Sequence, residues 1–389
     1  MPAAMTRDGR WARVDVDPTA IEHNVRVLRR RSEPAGVWAV VKADGYGHGA
    51  VVAAQAALRA GAAGLCVALV AEGVELREAG VDAPILLLSE QPIDQVDAML
   101  RYRMTPSVYT SGAVNALADR ADAPVAVHVN VDTGMQRVGV QPGEVARLVE
   151  VLHARADVVS VAGVYTHLAC ADEPDHPAND EQLGAFDRVL AELVAAGIPV
   201  GIQHAANSAA ALANPGARRS FVRAGIAIYG ISPGPGVDHL CDELRPALAL
   251  AARVSLVKRV AAGTHVSYGW RHRFDRDTTV ATVPVGYADG VPRRLGTVSD
   301  GGVVRAGADV LIGGRRCPIV GVVTMDQFMV DVGDLPVAAG DDVVLIGEQG
   351  DERIRAEDWA ERLGTIGYEV VCGLSARLPR MVLGDSEPS

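Results

Sequence analysis

The chain has 389 residues, nearly half of them apolar, and a formal net charge of −11. That length allows a large core and more than one domain, so two domains are expected. The acidic balance argues against a nucleic-acid partner, which would favour a basic face, and no apolar run approaches a membrane span. Five scattered cysteines (Cys66, Cys170, Cys241, Cys317 and Cys372) include no C-x-x-C pair. This argues against a disulfide framework or zinc site and fits a reducing cytoplasm. The first residues lack the apolar stretch of a signal peptide.

In chain order, Asp17-Pro18 reads as an N-cap followed by proline at the first helical position, and Ile21, Val25 and Leu28 recur at helical spacing. Val/Ile/Leu-rich runs then alternate with helical patterns: 37–43, 64–69, 84–89, 105–109, 125–131, 161–168, 202–206 and 222–229. Eight such strands, apolar as strands buried on both faces are, match a (β/α)8 TIM barrel. After Arg245 the texture changes to alternating apolar and polar residues at 252–260, 278–285, 317–323 and 328–332, with glycine turns at Asp300-Gly301-Gly302 and Gly313-Gly314. These predict a mostly antiparallel β domain interrupted by one helix around 355–363. The expected organisation is α/β: a barrel over 12–245, a β domain over 246–380 that the strand at 11–16 could join, and a polar, frayed tail over 381–389.

A barrel works where its strands end. Strand one ends in Lys42-Ala43-Asp44-Gly45-Tyr46, strand five in Asn130 to Arg137, and strand six in Thr166-His167. Strand seven ends in His204-Ala205-Ala206-Asn207-Ser208, and strand eight carries Arg223-Ala224-Gly225-Ile226. Of the 37 basic residues only Lys42 and Lys258 are lysine. A lysine amine can act as nucleophile and base where a guanidinium cannot, and burial lowers its pKa as covalent carbonyl capture requires. A rim lysine paired with Asp44 is the plain alternative. Strands seven and eight commonly frame a phosphate, for which Ser208 offers a hydroxyl and Gly225 close backbone approach; Asn207-Ser208 is equally a helix cap. Arg223 and Arg137 are anion or ring partners, or structural pairs of a residue such as Asp132. His167 could ligate a metal, but no dense histidine–carboxylate cluster accompanies it, and a polar contact is the better reading.

Taken together, 40–49, 131–137, 165–169, 204–209 and 222–230 resemble the signatures of the alanine racemase family. So do Val266-Ser267-Tyr268-Gly269, Gly286-Tyr287-Ala288-Asp289-Gly290 and Thr324-Met325-Asp326-Gln327 in the second domain. The likeness runs in order from Trp11 to Pro379.

The resemblance implies a pyridoxal 5'-phosphate (PLP) isomerase of fold type III. It would interconvert L- and D-alanine by a two-base mechanism and supply D-alanine for the cell wall. Lys42 holds PLP as a Schiff base and is one base. Tyr268, from the other subunit of a head-to-tail homodimer, is the second. Arg223 faces the pyridine nitrogen with His167 behind it. Tyr46, Asn207, Ser208, Gly225 and Ile226 hold the phosphate side of the cofactor. Arg137 orients tyrosine and substrate groups, the Met325 N–H meets the substrate carboxylate, and Tyr287, with Asp326 supporting, lies at the entrance. A phenol of reference pKa ~10 is a weak base at neutral pH and needs a cationic setting, which the His167–Arg223 chain would give.

Two departures from the family pattern matter. Many members have a carbamylated lysine where Asn130 stands, so the Asn130 amide or a bound anion is expected to steady Arg137. Many have a tyrosine where Ala376 stands, so one phosphate contact is absent and the mouth is wider. The rival readings are a racemase of serine or of a broader set, a barrel decarboxylase, a non-catalytic PLP-binding protein and a metal-dependent hydrolase. The Tyr268-bearing domain speaks against the non-catalytic protein, and the absence of paired ligand histidines against the hydrolase.

Overall fold

The computed structural model describes residues 9–300 and 303–384. The chain forms two compact units: Thr19–Arg245, and the segment from Pro246 onward together with the N-terminal stretch up to Pro18.

The first unit carries eight parallel strands: Gly36–Val40, Gly64–Val67, Ile85–Leu87, Ser107–Val108, Val125–Asn130, Val159–Tyr165, Ile202–His204 and Phe221–Ala224. They form two four-stranded ladders. One seam between them is bridged by Leu87 N–H to Thr105 O and Thr105 N–H to Ile85 O, the other by Ser220 N–H to Gln203 O and Arg223 N–H to Ala206 O. Strand eight pairs with strand one, Gly36 opposite Phe221, which closes the barrel. Most strand residues are buried, because helices cover the outside while side chains fill the inside.

The first helix, Pro18–Ser32, buries Ile21, Val25 and Leu28 on one stripe. Asn24 lies on the same stripe, and its amide donates to Ile228 O at 3.0 Å and Arg245 O at 2.8 Å. It also accepts from Arg245 N–H at 2.8 Å. A buried amide so satisfied fixes the helix against the chain end of the barrel.

The strands are shorter than the apolar runs. The run at 37–43 stops pairing at Val40, and the run at 222–229 becomes a 3-10 turn over Ile226–Tyr229. In both places the chain turns into the rim of strand ends: Ile226–Tyr229 stays fully buried, whereas beyond the buried Val41 the chain emerges at Lys42 and Ala43.

The second unit is built on a ten-stranded sheet. From one edge its order is Leu256–Val260, Thr278–Val283, Phe328–Gly333, Arg315–Val320, Asp309–Ile312, Asp342–Gln349, Leu248–Arg253, Ala12–Val16 and Arg380–Val382, with Glu352–Ile354 added to Asp342–Gln349. Ala12–Val16 runs antiparallel to Leu248–Arg253 and parallel to Arg380–Val382. The expected strand 252–260 is two strands. The chain breaks at Val254-Ser255 because it leaves one neighbour, Asp342–Gln349, for another, Thr278–Val283. Two helices, not one, interrupt the domain: Ala356–Leu363 and the short Gly367–Cys372. Six residues opening on glycine carry too little periodicity to announce a helix. The Gly301-Gly302 turn and the tail beyond Gly384 lie outside the described residues.

Candidate active site

Lys42 follows the first barrel strand and opens a backbone of unusual hand. Ala43, Asp44, Gly45 and Tyr46 have φ between 52° and 59°. For each non-glycine this left-handed state costs roughly 1–2 kcal/mol, and it persists only where surroundings over-determine it. Here they do. Ala43 N–H donates to Glu72 Oε1 at 2.7 Å, while Glu72 Oε2 accepts from Ala68 and Leu69. Asp44 Oδ1 accepts from Ala50 N–H at 3.0 Å. Gly45 and Gly47 donate to Val41 O and Ala43 O. The carboxylate of Asp44 thus ties down the turn that presents the lysine. Glu72, which the sequence did not single out, anchors it from the first turn of the helix Val70–Glu78.

Tyr46 is buried against Tyr229, ring centroids 5.2 Å apart. Its hydroxyl reaches Gly225, where a Cβ would sit 2.6 Å from the phenolic oxygen. Ser208 Oγ accepts from Gly225 N–H at 2.8 Å and Ala227 N–H at 3.4 Å. Asn207 is the helix cap, accepting from Ala210 N–H at 3.1 Å, and its amide donates to Leu168 O at 3.4 Å. Ile226 opens a 3-10 turn, whose first N–H groups have no acceptor within the turn. Two hydroxyls and a turn start meet over a residue that must be glycine, which is what an anion such as a phosphate monoester needs. Gly225→Ala should displace the Tyr46 hydroxyl and weaken cofactor retention about tenfold or more, read by titrating apoenzyme with PLP. Unchanged affinity would remove this turn from the binding site.

Arg223, 4% exposed, is the hub of the barrel interior. Its Nη1 meets His204 Nδ1 at 2.7 Å and His204 O at 3.2 Å. Its Nη2 meets Thr166 O at 2.7 Å, Ala205 O at 3.2 Å and His167 Nδ1 at 3.3 Å. The guanidinium also lies over the Tyr165 ring, 5.1 Å from its centroid. Its Nε–H has no hydrogen-bond partner among the described residues and is the one donor left for a ligand. Burial lowers the Arg223 pKa from its ordinary value.

Three histidines are kept neutral here. Burial, with the charges of Arg223, Arg137 and Lys42 adding to it, pushes His167 down to about 3. Burial and Arg223 push His128 to about 4 and His204 well below its ordinary value. Lys42, Arg137 and Arg223 thus lie near enough to His167 for their charges to act on it. An imidazole held below the ordinary 6.5 in the fold binds its proton more readily when unfolded. Its contribution to stability is complete above that value and is lost as pH falls through the window down to about 4. The melting temperature should already decline between about pH 6.5 and 5, where ordinary carboxylates are still ionised. A flat calorimetric profile there would contradict neutral burial of these rings.

Asn130 is buried and Arg137 is exposed. No hydrogen bond joins the Asn130 amide to Arg137 among the described residues, so the amide does not do the steadying expected of it. Asp132, the candidate structural partner, instead accepts from Gly134 and Gln136 N–H, both at 3.0 Å, and from Gln141 Nε2 at 3.2 Å. It shapes the loop that carries Arg137.

In the β domain, Tyr268 sits in a short turn after Ser267 and is 72% exposed. Ser267 Oγ donates to Val322 O at 2.6 Å. Met325 and Tyr287 are also exposed, and their two loops are laced together. Tyr287 N–H donates to Thr324 O and Ala288 N–H to Met325 O, both at 3.0 Å. Asp326 pairs with Arg377 at 2.8 Å. The fully buried Asp289 meets Arg10 at 2.6 Å and Arg377 at 3.4 Å. No set of three metal-type ligands gathers among the described residues.

A rim lysine, two hydroxyls beside a glycine turn and a buried arginine with one donor to spare thus stand at the strand ends of a barrel, the arrangement of a barrel enzyme. Comparison with known proteins gives the family. Residues 16–233 match the alanine racemase N-terminal domain and residues 247–382 the C-terminal domain. The chain is 49% identical over 380 residues to the alanine racemase of Symbiobacterium thermophilum, covering 97% of each. It is 43% identical to that of Thermobifida fusca, covering 96% of this chain and 98% of the relative. The Bacillus anthracis alanine racemase solved with bound L-Ala-P superposes with a TM-score of 0.89 at 38% identity, over 97% of this chain and 96% of that one. The enzyme from D-cycloserine-producing Streptomyces lavendulae superposes with 0.90 at 38% identity, over 97% and 98%. The chain belongs to the alanine racemase family, isomerases that depend on PLP.

Proposed function

We propose that the rim divides the racemisation of alanine among its residues as follows. Lys42 holds PLP and exchanges the α-proton on one face of the amino acid. Tyr268 of a second copy, in a head-to-tail homodimer, does so on the other. Tyr46, Ser208, Gly225 and Ile226 hold the phosphate, with Asn207 capping the adjoining helix, and Arg223 faces the ring nitrogen through its Nε–H. Arg137 and the Met325 N–H orient the substrate carboxylate. Tyr287, braced by the loop of Asp326, lines the entrance, and an anion beside Asn130 steadies Arg137. Bound here, PLP supplies an electron-withdrawing ring that acidifies the α-C–H of the amino acid attached to it.

One observation carries the reading: a lysine on a strained, braced turn shares its rim with a phosphate-type cradle and a buried, multiply bonded arginine. His167, held neutral, adds no positive charge beside Lys42. Tyr268 stands open on its own domain, as a group offered to another subunit would. The five cysteines are scattered, and no described helix is long and apolar enough to cross a membrane; we place the enzyme in the cytoplasm, feeding D-alanine to the cell wall.

The test follows the circular dichroism of L-alanine with purified protein and PLP. The signal should decay to zero, and D-alanine should give the mirror course. Persistence of the signal while PLP binds would overturn the assignment for alanine. L-serine belongs in the same experiment, because Ala376 leaves space at the mouth and a hydroxyl is worth only ~1–3 kcal/mol of discrimination. Slower but measurable decay is expected there.

A further inference from the structure

We propose that His128 is a positioning residue for the reaction: by accepting a proton from His204 it fixes the His204 tautomer, and through it the seat of Arg223. A guanidinium only donates, so His204 Nδ1, 2.7 Å from Arg223 Nη1, carries no proton. The proton of neutral His204 is then on Nε2, which lies 2.9 Å from His128 Nδ1. His128 Nδ1 must accept, and its own proton sits on Nε2. The row His128–His204–Arg223 therefore has a single polarity. Without an acceptor at position 128 the His204 proton is free to move to Nδ1, where it would oppose an Arg223 N–H, donor against donor.

The barrel makes specific provision for this imidazole. Beside His128 the partner strand Val159–Tyr165 carries one extra residue, Ala162, a bulge that shifts the pairing between Val127 and His128. Opposite His128 stands Gly163, where a Cβ would lie 2.7 Å from His128 Cε1 and 2.6 Å from Ile202 O. Trp38 packs against both imidazoles, at 5.6 and 6.0 Å between centroids. Tyr165 stacks on His204 at 4.7 Å, its hydroxyl bonded to Ser107 Oγ at 2.8 Å and Leu88 O at 2.9 Å. With both rings hemmed in, the proton position is the remaining freedom, and His128 removes it. Burial keeps both histidines neutral, which excludes the doubly protonated form that would break the row.

The effect on the reaction rests on the reading of Arg223 as partner of the ring nitrogen; the tautomer does not. The test is two-bond proton–nitrogen correlation on 15N-histidine-labelled, PLP-loaded protein, with His204 assigned by its own substitution. Wild-type protein should show a bare Nδ1 and a protonated Nε2 at His204; the reverse would overturn the proposal whatever any variant does. In His128→Phe the His204 proton should redistribute to Nδ1, the visible absorption band of the bound cofactor should shift, and kcat should fall about tenfold with KM less affected. His128→Gln, whose Oε1 can accept the same proton, should restore tautomer, spectrum and most of the rate. An unmoved tautomer in His128→Phe overturns the proposal, as does failure of the glutamine rescue while His204 keeps its wild-type form. A moved tautomer with unchanged spectrum and rate would instead refute the placing of Arg223 at the ring nitrogen.

Discussion

Lys42→Arg should reduce racemisation to background, a loss of about 10⁴-fold or more of the kind that follows removal of a reacting group. The substitution keeps a positive charge and a long stem at the same rim position. What it removes is chemistry: a guanidinium stays protonated, so it can neither capture a carbonyl covalently nor exchange an α-proton. The turn at Ala43–Tyr46 is held by Glu72, Asp44 and backbone carbonyls, not by the lysine side chain. The fold should therefore survive, and dichroism in the far ultraviolet should be unchanged. PLP should still bind, but dialysis should remove it. The shared-site arrangement adds a sharper expectation. Lys42→Arg and Tyr268→Phe chains, each inactive alone, should regain activity when mixed under conditions of subunit exchange. One of the two sites in a mixed dimer then has its lysine and its tyrosine intact. No recovery on mixing, with exchange verified, would mean that both groups serve from one chain.

Much of the barrel and of where its rim lies was legible because strand ends can be read from apolar runs. Val37 to Val41 points directly at Lys42, the more conspicuous because lysine is so rare in the chain. Asn207, Ser208 and Gly225 were legible as a capped helix start beside a glycine. Other features were hidden for physical reasons. The stretch Lys42-Ala43-Asp44-Gly45-Tyr46 holds one glycine, and local propensity gives no warning that its neighbours share the left-handed state; Glu72, 29 residues beyond Ala43, imposes it. His128 and Tyr165 sit within strands, where an apolar–polar reading treats them as filling. Val125–Asn130 alternates regularly and puts His128 on the face of Asn130, but nothing local announces its partner His204, 76 residues away. In the β domain, the crossing at Val254-Ser255 joins two strands without a glycine or proline, so the sequence reads as one.

Arg223→Glu should lower racemisation by about a hundredfold or more and raise the side reaction in which the amino group stays with the cofactor and pyruvate is released. Arg223 donates four N–H groups to the barrel, to His204 Nδ1, His204 O, Thr166 O and the Ala205–His167 pair, and keeps only Nε–H for a ligand. A donor that remains protonated leaves a ring nitrogen facing it unprotonated. This limits how far negative charge spreads into the ring and keeps the proton exchange at the α-carbon. A glutamate in its place favours a protonated ring nitrogen and the wider spread of charge that permits amino-group transfer. Stability will fall as well. Each buried acceptor left without its donor costs ~1–3 kcal/mol, and glutamate supplies no N–H to replace those of Arg223. Arg223→Lys is the control that separates the two effects. It keeps a cation and some donors, so it should lose rate without gaining the side reaction. Coupled assay of pyruvate against D-alanine formed decides the matter. An unchanged ratio in folded Arg223→Glu protein, with PLP bound, would show that the arginine does not govern the fate of the α-proton.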